Sequence, residues 1–293
     1  MPPRVHVMEP VPAPVAEALA RDFELVESPA GAEGIVAMLT RRVDDEYLAA
    51  AGNQLRIVAN YGVGVDNIDL EAARRRGVVV ANTPDVLTRA TAELAIALIL
   101  ALLRRVAEGD RFVRSGTPWR FSLEFMLGEG LEGKVLGVVG AGRIGREVAR
   151  LGEGLGLDPR LAGRGDPLAP LLAEADVVSL HSPLTPETRH LIDAAAFGQM
   201  KPTAVLVNTS RGAVVDEAAL VEALRQGRIA GAALDVFEYE PHVSEGLLGL
   251  DNVVLTPHIA SATRETRIAM GMLCVAALRA VLLEDRTPAN VVS

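Results

Sequence analysis

The sequence predicts an α/β protein made of two doubly wound parallel sheets, and three observations carry that reading. Short runs rich in Val, Ile and Leu alternate with helical patterns along the chain, the pattern of parallel strands joined by crossover helices. The alternation occurs twice, on either side of one long apolar helical stretch. At 293 residues the chain is long for a single core, since domains usually run to roughly 100–200 residues.

In the first series, residues 4–8 (RVHVM), 23–27 (FELVE), 34–39 (GIVAML), 55–60 (LRIVAN) and 77–82 (GVVVAN) read as strands, with helices over 15–22 and in the polar stretch before Leu55. The segment between FELVES and GIVAML is short and is expected to lack a helix. One continuous helix is expected from Thr88 to Arg114, with Thr88 or Thr91 as N-cap and Gly116 and Pro118 beyond its end. Its centre is apolar on nearly every face, which predicts burial between domains or between subunits. The second series runs through KVLGVVG (134–140), LDPRLAG (157–163), DVVSLH (176–181), AVLVNTS (204–210), AGAALDVF (230–237) and NVVLTPH (252–258), with helices between. A last helix near 263–283 follows a finished sheet and is expected to cross back. The expected domains are therefore residues 1–88 completed by 262–293, and residues 89–261.

Composition narrows the function. The apolar fraction of 49% with 23% charged residues is that of an ordinary globular chain. A net charge of -9 opposes binding to nucleic acid or anionic lipid. The longest apolar run, 94–103, is half the length of a bilayer span, which takes about 20 residues. The N-terminal stretch MPPRVHVMEP has no basic segment followed by an apolar core, so no secretion signal is expected, and Cys274 is the only cysteine. These features predict a cytoplasmic protein. His181, His190, His242 and His258 show no ligand spacing, and no metal site is expected.

The stretch Gly140-Ala141-Gly142-Arg143-Ile144-Gly145 follows a predicted strand and opens a predicted helix. That arrangement is a dinucleotide fingerprint: the first glycine permits the tight turn, the second lets backbone approach a pyrophosphate, and the third lets helix and strand pack closely. Unpaired N–H groups at the helix start add partial positive charge. At the end of the next strand, where an acid would bind the ribose of NAD, stand Gly163 and Arg164. A guanidinium there suits a 2′-phosphate, which favours NADP over NAD. The alternative is that Arg164 is solvated and Asp166 serves the ribose.

Arg211, Glu240 and His258 follow predicted strands of the second series, at the sheet edge where ligands of such folds bind. Each alone reads equally well as a turn residue, a solvated loop residue or a satisfied histidine. Together they supply a cation, an acid and a titratable base, the set needed for hydride transfer to a 2-keto acid.

The strings NYGVGVDNID (60–69), NTPDVLTRATAELAIALIL (82–100), GAGRIG (140–145), HSPLTPETRHLI (181–192), VNTSRGAVVDE (207–217), LDVFEYEP (234–241) and NVVLTPHIASA (252–262) closely resemble the D-isomer-specific 2-hydroxyacid dehydrogenases, glyoxylate and hydroxypyruvate reductase branch. The resemblance implies Rossmann- and flavodoxin-like domains, a substrate domain and a dinucleotide-binding domain, with an interdomain active-site cleft. It implies Arg211, Glu240 and His258 as the catalytic trio and NADP, or NAD, as cofactor. It places the Val63 and Gly64 N–H groups, with Arg211, on the substrate carboxylate, and Pro183, Thr209, Ser210, Asp235, His258 and Ala260 on the nicotinamide side. It further implies a homodimer joined through the cofactor domain, with the helix near 91–105 as a candidate contact. The expected reaction is reduction of glyoxylate or hydroxypyruvate. The alternatives are an NAD-dependent dehydrogenase of D-lactate or 3-phosphoglycerate, the latter calling for Arg41, Arg42 or Arg56, and a nucleotide-sensing scaffold without catalysis. The stretch from Gly145 to Asp176 is shorter than the resemblance leads one to expect.

Overall fold

A computed structural model describes residues 1–292, and the chain divides into two units, Met1–Leu87 with Ser261 onward, and Thr88–Ala260. The first unit begins with β1 (Arg4–Val7), α1 (Ala13–Asp22), β2 (Glu24–Val26), β3 (Gly34–Ala37), α2 (Asp45–Ala51), β4 (Ile57–Asn60), α3 (Leu70–Arg75) and β5 (Val79–Ala81). Its five strands pair in parallel in the order β2-β1-β3-β4-β5. Every residue of β3 and β4 is buried, because crossover helices cover both faces of a parallel sheet. Residues 27–33 form bends and turns without a helix.

Helices α2 and α3 start where Asp44 and Asp69 accept the N–H groups of Tyr47 and Ala72, caps that contribute about 1 kcal/mol each. Asp66 stands three residues nearer β4 and offers the same capping side chain. The helix starts later because Ile68 is buried and bridges Val43 in parallel fashion, which keeps the chain extended up to Asp69.

The second unit runs α4 (Thr88–Leu103), α5 (Val106–Arg114), β6 (Val135–Val139), α6 (Arg143–Glu153), β7 (Asp158–Ala162), α7 (Leu168–Glu174), β8 (Val177–Leu180), α8 (Ala194–Phe197), β9 (Val205–Asn208), α9 (Glu217–Arg225), β10 (Gly231–Leu234), α10 (Glu245–Leu248) and β11 (Val253–Leu255). The sheet is parallel throughout, in the order β11-β10-β9-β8-β6-β7. One core cluster contains Leu180, Phe197, Leu206 and Leu220; the other joins Ile99, Leu136, Val148 and Val207. Side chains this buried contribute about 1.5–3 kcal/mol each, whereas exposed ion pairs such as Arg160–Asp158 contribute about 0–1 kcal/mol. The apolar layers therefore dominate the stability of the sheet.

The expected single helix from Thr88 to Arg114 is in fact two. Arg105 sits in the left-handed region at φ 54° and separates α4 from α5. The break has a tertiary cause: the Glu129 N–H donates to the last carbonyl of α4, Leu103, at 2.8 Å, and Arg105 Nη1 donates to the Leu127 carbonyl at 3.4 Å. A side chain on Gly128 would lie 2.4 Å from the Leu103 oxygen, so only glycine lets this strap cross the helix end. The buried residues of α4, among them Ala92, Ala95 and Ile99, pack within their own unit.

The last helix, α11 (Arg264–Leu282), belongs to the first unit and packs on α1, β3 and β4. Thr263 caps it by accepting the Thr266 N–H. No helix of the described residues is long and apolar enough to cross a membrane.

Candidate active site

The three glycines of the loop after β6 meet three different surroundings. Gly140 has φ +104°, and a Cβ there would fall 2.6 Å from the His181 carbonyl carbon. A Cβ on Gly145 would fall 2.1 Å from the Gly140 oxygen. Both are backbone-on-backbone contacts that no side chain fits. Gly142, the residue preceding α6, faces open space within 4 Å. The first N–H groups of any helix lack intrahelical acceptors, so Arg143, Ile144 and Gly145 present donors beside that space. Ile144 packs its side chain on the core and can offer a ligand only its backbone. An open space bounded by helix N–H groups and closed to side chains elsewhere fits a pyrophosphate.

Beside the loop lies a cavity of about 530 Å³, lined by Gly140, Gly163, Arg164, Asp166, Ser182, Pro183 and Glu187 among others. The Ser182 hydroxyl is buried without a hydrogen-bond partner, which marks a polar position for a bound group. Arg164 is exposed and lies near enough to Glu187 to help lower its carboxyl, after the hydrogen bonds from Thr185 and from the Glu187 backbone. The Asp166 carboxylate accepts the Gly163 N–H at 2.7 Å. Both acids lie outside the cofactor set the sequence predicts, Asp166 being its alternative partner for the ribose.

Glu240, His258 and Asp235 converge at the carboxyl ends of β10 and β11. His258 Nδ1 lies 2.8 Å from Glu240 Oε2, both side chains about one quarter exposed, at 26% and 24%. The other Glu240 oxygen accepts the Phe237 N–H at 3.0 Å. Burial alone would raise the Glu240 carboxyl, but the hydrogen bond and charge of His258, the Phe237 N–H and the nearby Arg211 charge hold it below its ordinary value. Asp235 is fully buried. Its oxygens accept the Thr256 hydroxyl at 2.6 Å and the Ile259 and Ala260 N–H groups at 2.8 Å each. Burial raises its carboxyl, partly offset by those donors. Asp235 thus fixes the turn that carries His258, whose own N–H donates to the Asp235 carbonyl at 2.8 Å and which sits at φ 54°.

Arg211 leaves β9 through a turn braced by Asn208, whose Nδ2 donates to the Arg211 carbonyl at 2.9 Å and whose Oδ1 accepts the Ser210 N–H and hydroxyl. The Arg211 guanidinium donates to the Ser210 carbonyl at 2.8 Å. The next residue explains why this turn lies against the Glu240 loop: a Cβ on Gly212 would fall 1.9 Å from the Phe237 carbonyl carbon. The Thr209 hydroxyl is buried and unpartnered.

Sequence reasoning missed Glu217. It is the first residue of α9, where an acid ordinarily serves the helix dipole. Here it is only 7% exposed, and its two oxygens accept the Glu238 N–H at 3.0 Å and the Ser244 N–H at 3.1 Å. It clamps both ends of the loop that holds Glu240. Glu238 is bound in turn by Arg189 at 2.9 Å and His190 at 2.8 Å.

In the first unit, Val63 and Gly64 are part-exposed in the loop after β4. A Cβ on Gly62 would meet Leu39 at 2.5 Å. Arg41, Arg42 and Arg56 each face a carboxylate, Glu9, Asp44 and Asp285 respectively. Among the described residues no group of three His, Cys, Asp or Glu is placed to hold a metal ion.

A doubly wound sheet with a glycine cradle, next to an imidazole–carboxylate pair and a guanidinium, defines a nicotinamide-dependent oxidoreductase. Comparison with known proteins gives the family. The profile described as "D-isomer specific 2-hydroxyacid dehydrogenase, NAD binding domain" matches residues 96–260. The glyoxylate reductase of Pyrococcus furiosus is 45% identical over 93% of this chain and 90% of its own. The TT0316 protein of Thermus thermophilus superposes with a TM-score of 0.92 at 43% identity, covering 99% of this chain and 100% of that one. The NADPH-dependent glyoxylate/hydroxypyruvate reductase of Sinorhizobium meliloti, solved with NADP and malonate, superposes with a TM-score of 0.87 at 35% identity, covering 100% and 97%. The chain belongs to the D-isomer-specific 2-hydroxyacid dehydrogenase family.

Proposed function

We propose that this protein reduces a small 2-keto acid, glyoxylate or hydroxypyruvate, to the 2-hydroxy acid. The observation that carries the reading is the 2.8 Å contact of His258 with Glu240, within reach of the Arg211 charge. The similarity to the glyoxylate reductase of P. furiosus and to the glyoxylate/hydroxypyruvate reductase of S. meliloti supports it. A bound reduced nicotinamide supplies the hydride to the carbonyl carbon. With Nδ1 committed to Glu240, His258 gives the proton to the carbonyl oxygen from Nε2. The Glu240 carboxylate fixes the orientation of the ring through Nδ1. Arg211 holds the substrate carboxylate and stabilises negative charge on the oxygen. The family resemblance assigns the Val63 and Gly64 N–H groups to a substrate carboxylate as well.

Gly140 to Gly145 hold the pyrophosphate, Gly163 and Arg164 the adenosine end, and Pro183, Thr209, Ser210, Asp235 and Ala260 frame the nicotinamide. Arg164 and the absence of an acid at Gly163 favour NADP. Asp166 beside it is the feature that favours NAD. Pairing of Arg41, Arg42 and Arg56 with carboxylates speaks against a phosphorylated substrate, and a nucleotide-sensing scaffold has no use for the His258–Glu240 pair. The protein acts in the cytoplasm as a homodimer. The exposed apolar residues Val106, Val113, Trp119, Phe121 and Leu123 make the α5 region, rather than the buried α4, the face for the second copy.

Purified protein is expected to oxidise NADPH on addition of glyoxylate, faster than NADH; equal or better rates with NADH would remove the argument from Arg164. The His258→Ala variant is expected to lose about 100-fold or more in turnover while still binding NADPH. Turnover at the parent rate would overturn the proton-donor assignment.

A further inference from the structure

The loop after β4 holds three consecutive peptides whose carbonyls are all pinned from within the first unit. The Gly62 carbonyl accepts the Thr83 N–H at 3.0 Å. The Val63 carbonyl accepts Asn82 Nδ2 at 2.8 Å, and the Gly64 carbonyl accepts Asn60 Nδ2 at 2.7 Å. In a trans peptide the C=O of one residue and the N–H of the next point in opposite directions. Pinning these carbonyls therefore aims the N–H groups of Val63, Gly64 and Val65 away from their anchors. Residues 63–65 are part-exposed whereas Asn60 is fully buried, so the anchors lie on the protein side. Successive backbone N–H groups left free in a turn are the donors from which anion-binding concavities are built.

The anchors are themselves anchored. Asn67 Nδ2 donates to Asn60 Oδ1 at 3.2 Å, and an amide whose oxygen faces Asn67 must turn its nitrogen to Gly64. Asn67 is held by the Met38 and Arg41 carbonyls at 3.2 and 3.3 Å. Asn82 exchanges hydrogen bonds with Asn290 through its backbone N–H and carbonyl, next to an antiparallel bridge between Ala81 and Val291. The C-terminal segment therefore sets where the Asn82 amide stands.

We propose that Asn60 and Asn82 are positioning residues that orient the 63–65 peptides for a substrate carboxylate, with Asn67 setting the Asn60 amide. This inference rests on the reading of Val63 and Gly64 as carboxylate donors. Neither asparagine touches the substrate; each acts through the peptide it holds. An aspartate has the shape of asparagine but, when ionised, accepts only. It would repel the carbonyl it replaces a donor for and turn that peptide away.

The test compares Asn82→Asp, Asn60→Asp and Asn82→Ala with the parent, measuring KM and kcat for glyoxylate and the dissociation constant of NADPH by fluorescence. Each variant is expected to raise the glyoxylate KM about tenfold or more near neutral pH, the scale of one hydrogen bond to a charged group. The NADPH constant should stay within about twofold, given that the cofactor cradle is in the other unit. The Asn82→Asp variant should regain affinity as pH falls into the carboxylate range, where a protonated carboxyl can donate, and Asn82→Ala should not. Parent-like KM values in both aspartate variants would overturn the proposal while leaving the reductase reading intact. So would KM and NADPH affinity failing together with a lowered Tm, which is the signature of a merely structural role. A parent that reduces no 2-keto acid with either cofactor would overturn both.

Discussion

The loop after β6, residues 140–145, and the loop after β4, residues 61–65, are both glycine-rich connections that the proposed function turns toward anions, yet they hold their shape by different means. In the first, glycine is required because backbone packs on backbone: Gly145 on Gly140, and Gly140 on the His181 peptide. In the second, the shape comes from asparagine side chains that grip two carbonyls. The first device is local and sits inside a six-residue motif. The second needs Asn82, from the next strand's end, and Asn290, near the C-terminus. A cradle made by steric exclusion tolerates no added atom, and one made by side-chain donors tolerates no lost donor.

The largest effect that would break this contrast is at Gly145. Its replacement by alanine puts a methyl 2.1 Å from the Gly140 oxygen, and overpacking of this kind costs about 1–3 kcal/mol or more. Gly145→Ala is expected to lower Tm and abolish NADPH binding. Gly142→Ala is the counterpart: its φ of -77° suits alanine and its Cβ meets nothing, so Tm should hold while NADPH binding weakens about tenfold as the methyl enters the pyrophosphate space. Calorimetry and fluorescence titration on the two variants decide the matter, and equal Tm losses would show that the loop is not built by steric exclusion.

A smaller effect separates the loops by pH. The wall behind Gly140 carries His181, whose Nδ1 is buried without a partner and whose other nitrogen bonds the Ser179 hydroxyl. Burial pushes its pKa down from 6.5 to about 4. Between those values the unfolded chain binds a proton that the folded chain refuses, so stability falls as pH drops from 6.5 to about 4 and the loss is complete below that. Because part of the residue reaches solvent, the loss is expected on the order of 1 kcal/mol. Urea unfolding of His181→Gln over the same window should show a shallower slope than the parent; identical slopes would disprove the assignment. The asparagines behind the other loop carry no charge and add no such dependence.

The smallest effect concerns the cavity beside the glycine loop, where Glu187 stands near Arg164. Removing its charge in Glu187→Gln should tighten NADPH about two- to fivefold and leave NADH unchanged, as expected for an exposed, solvent-screened carboxylate. A change of equal size for both cofactors would show that Glu187 does not sense the 2′-phosphate.

Much of this molecule was legible in advance because its signals are local. Apolar alternation marked the strands and the parallel α/β class, and the glycine spacing marked the turn at Gly140. The choice of Asp69 over Asp66 as a cap was not legible, since the bridge of Ile68 to Val43 is a contact between distant segments. The break at Arg105 was hidden for the same reason: residues 103–106 continue a helical pattern, and the strap from Leu127 to Glu129 that ends it lies more than twenty positions on.

By itself the amino-acid order determined the class of fold, the cradle after β6, and which residue types end each strand, because these depend on periodicity and on backbone freedom within a few residues. Only the tertiary structure decided that Glu217 clamps the Glu240 loop, that Asp235 carries the turn of His258, and that asparagines aim the peptides at 63–65. In each case a buried polar group must find its partner wherever the folded chain brings one, and distance along the chain says nothing about which partner that is.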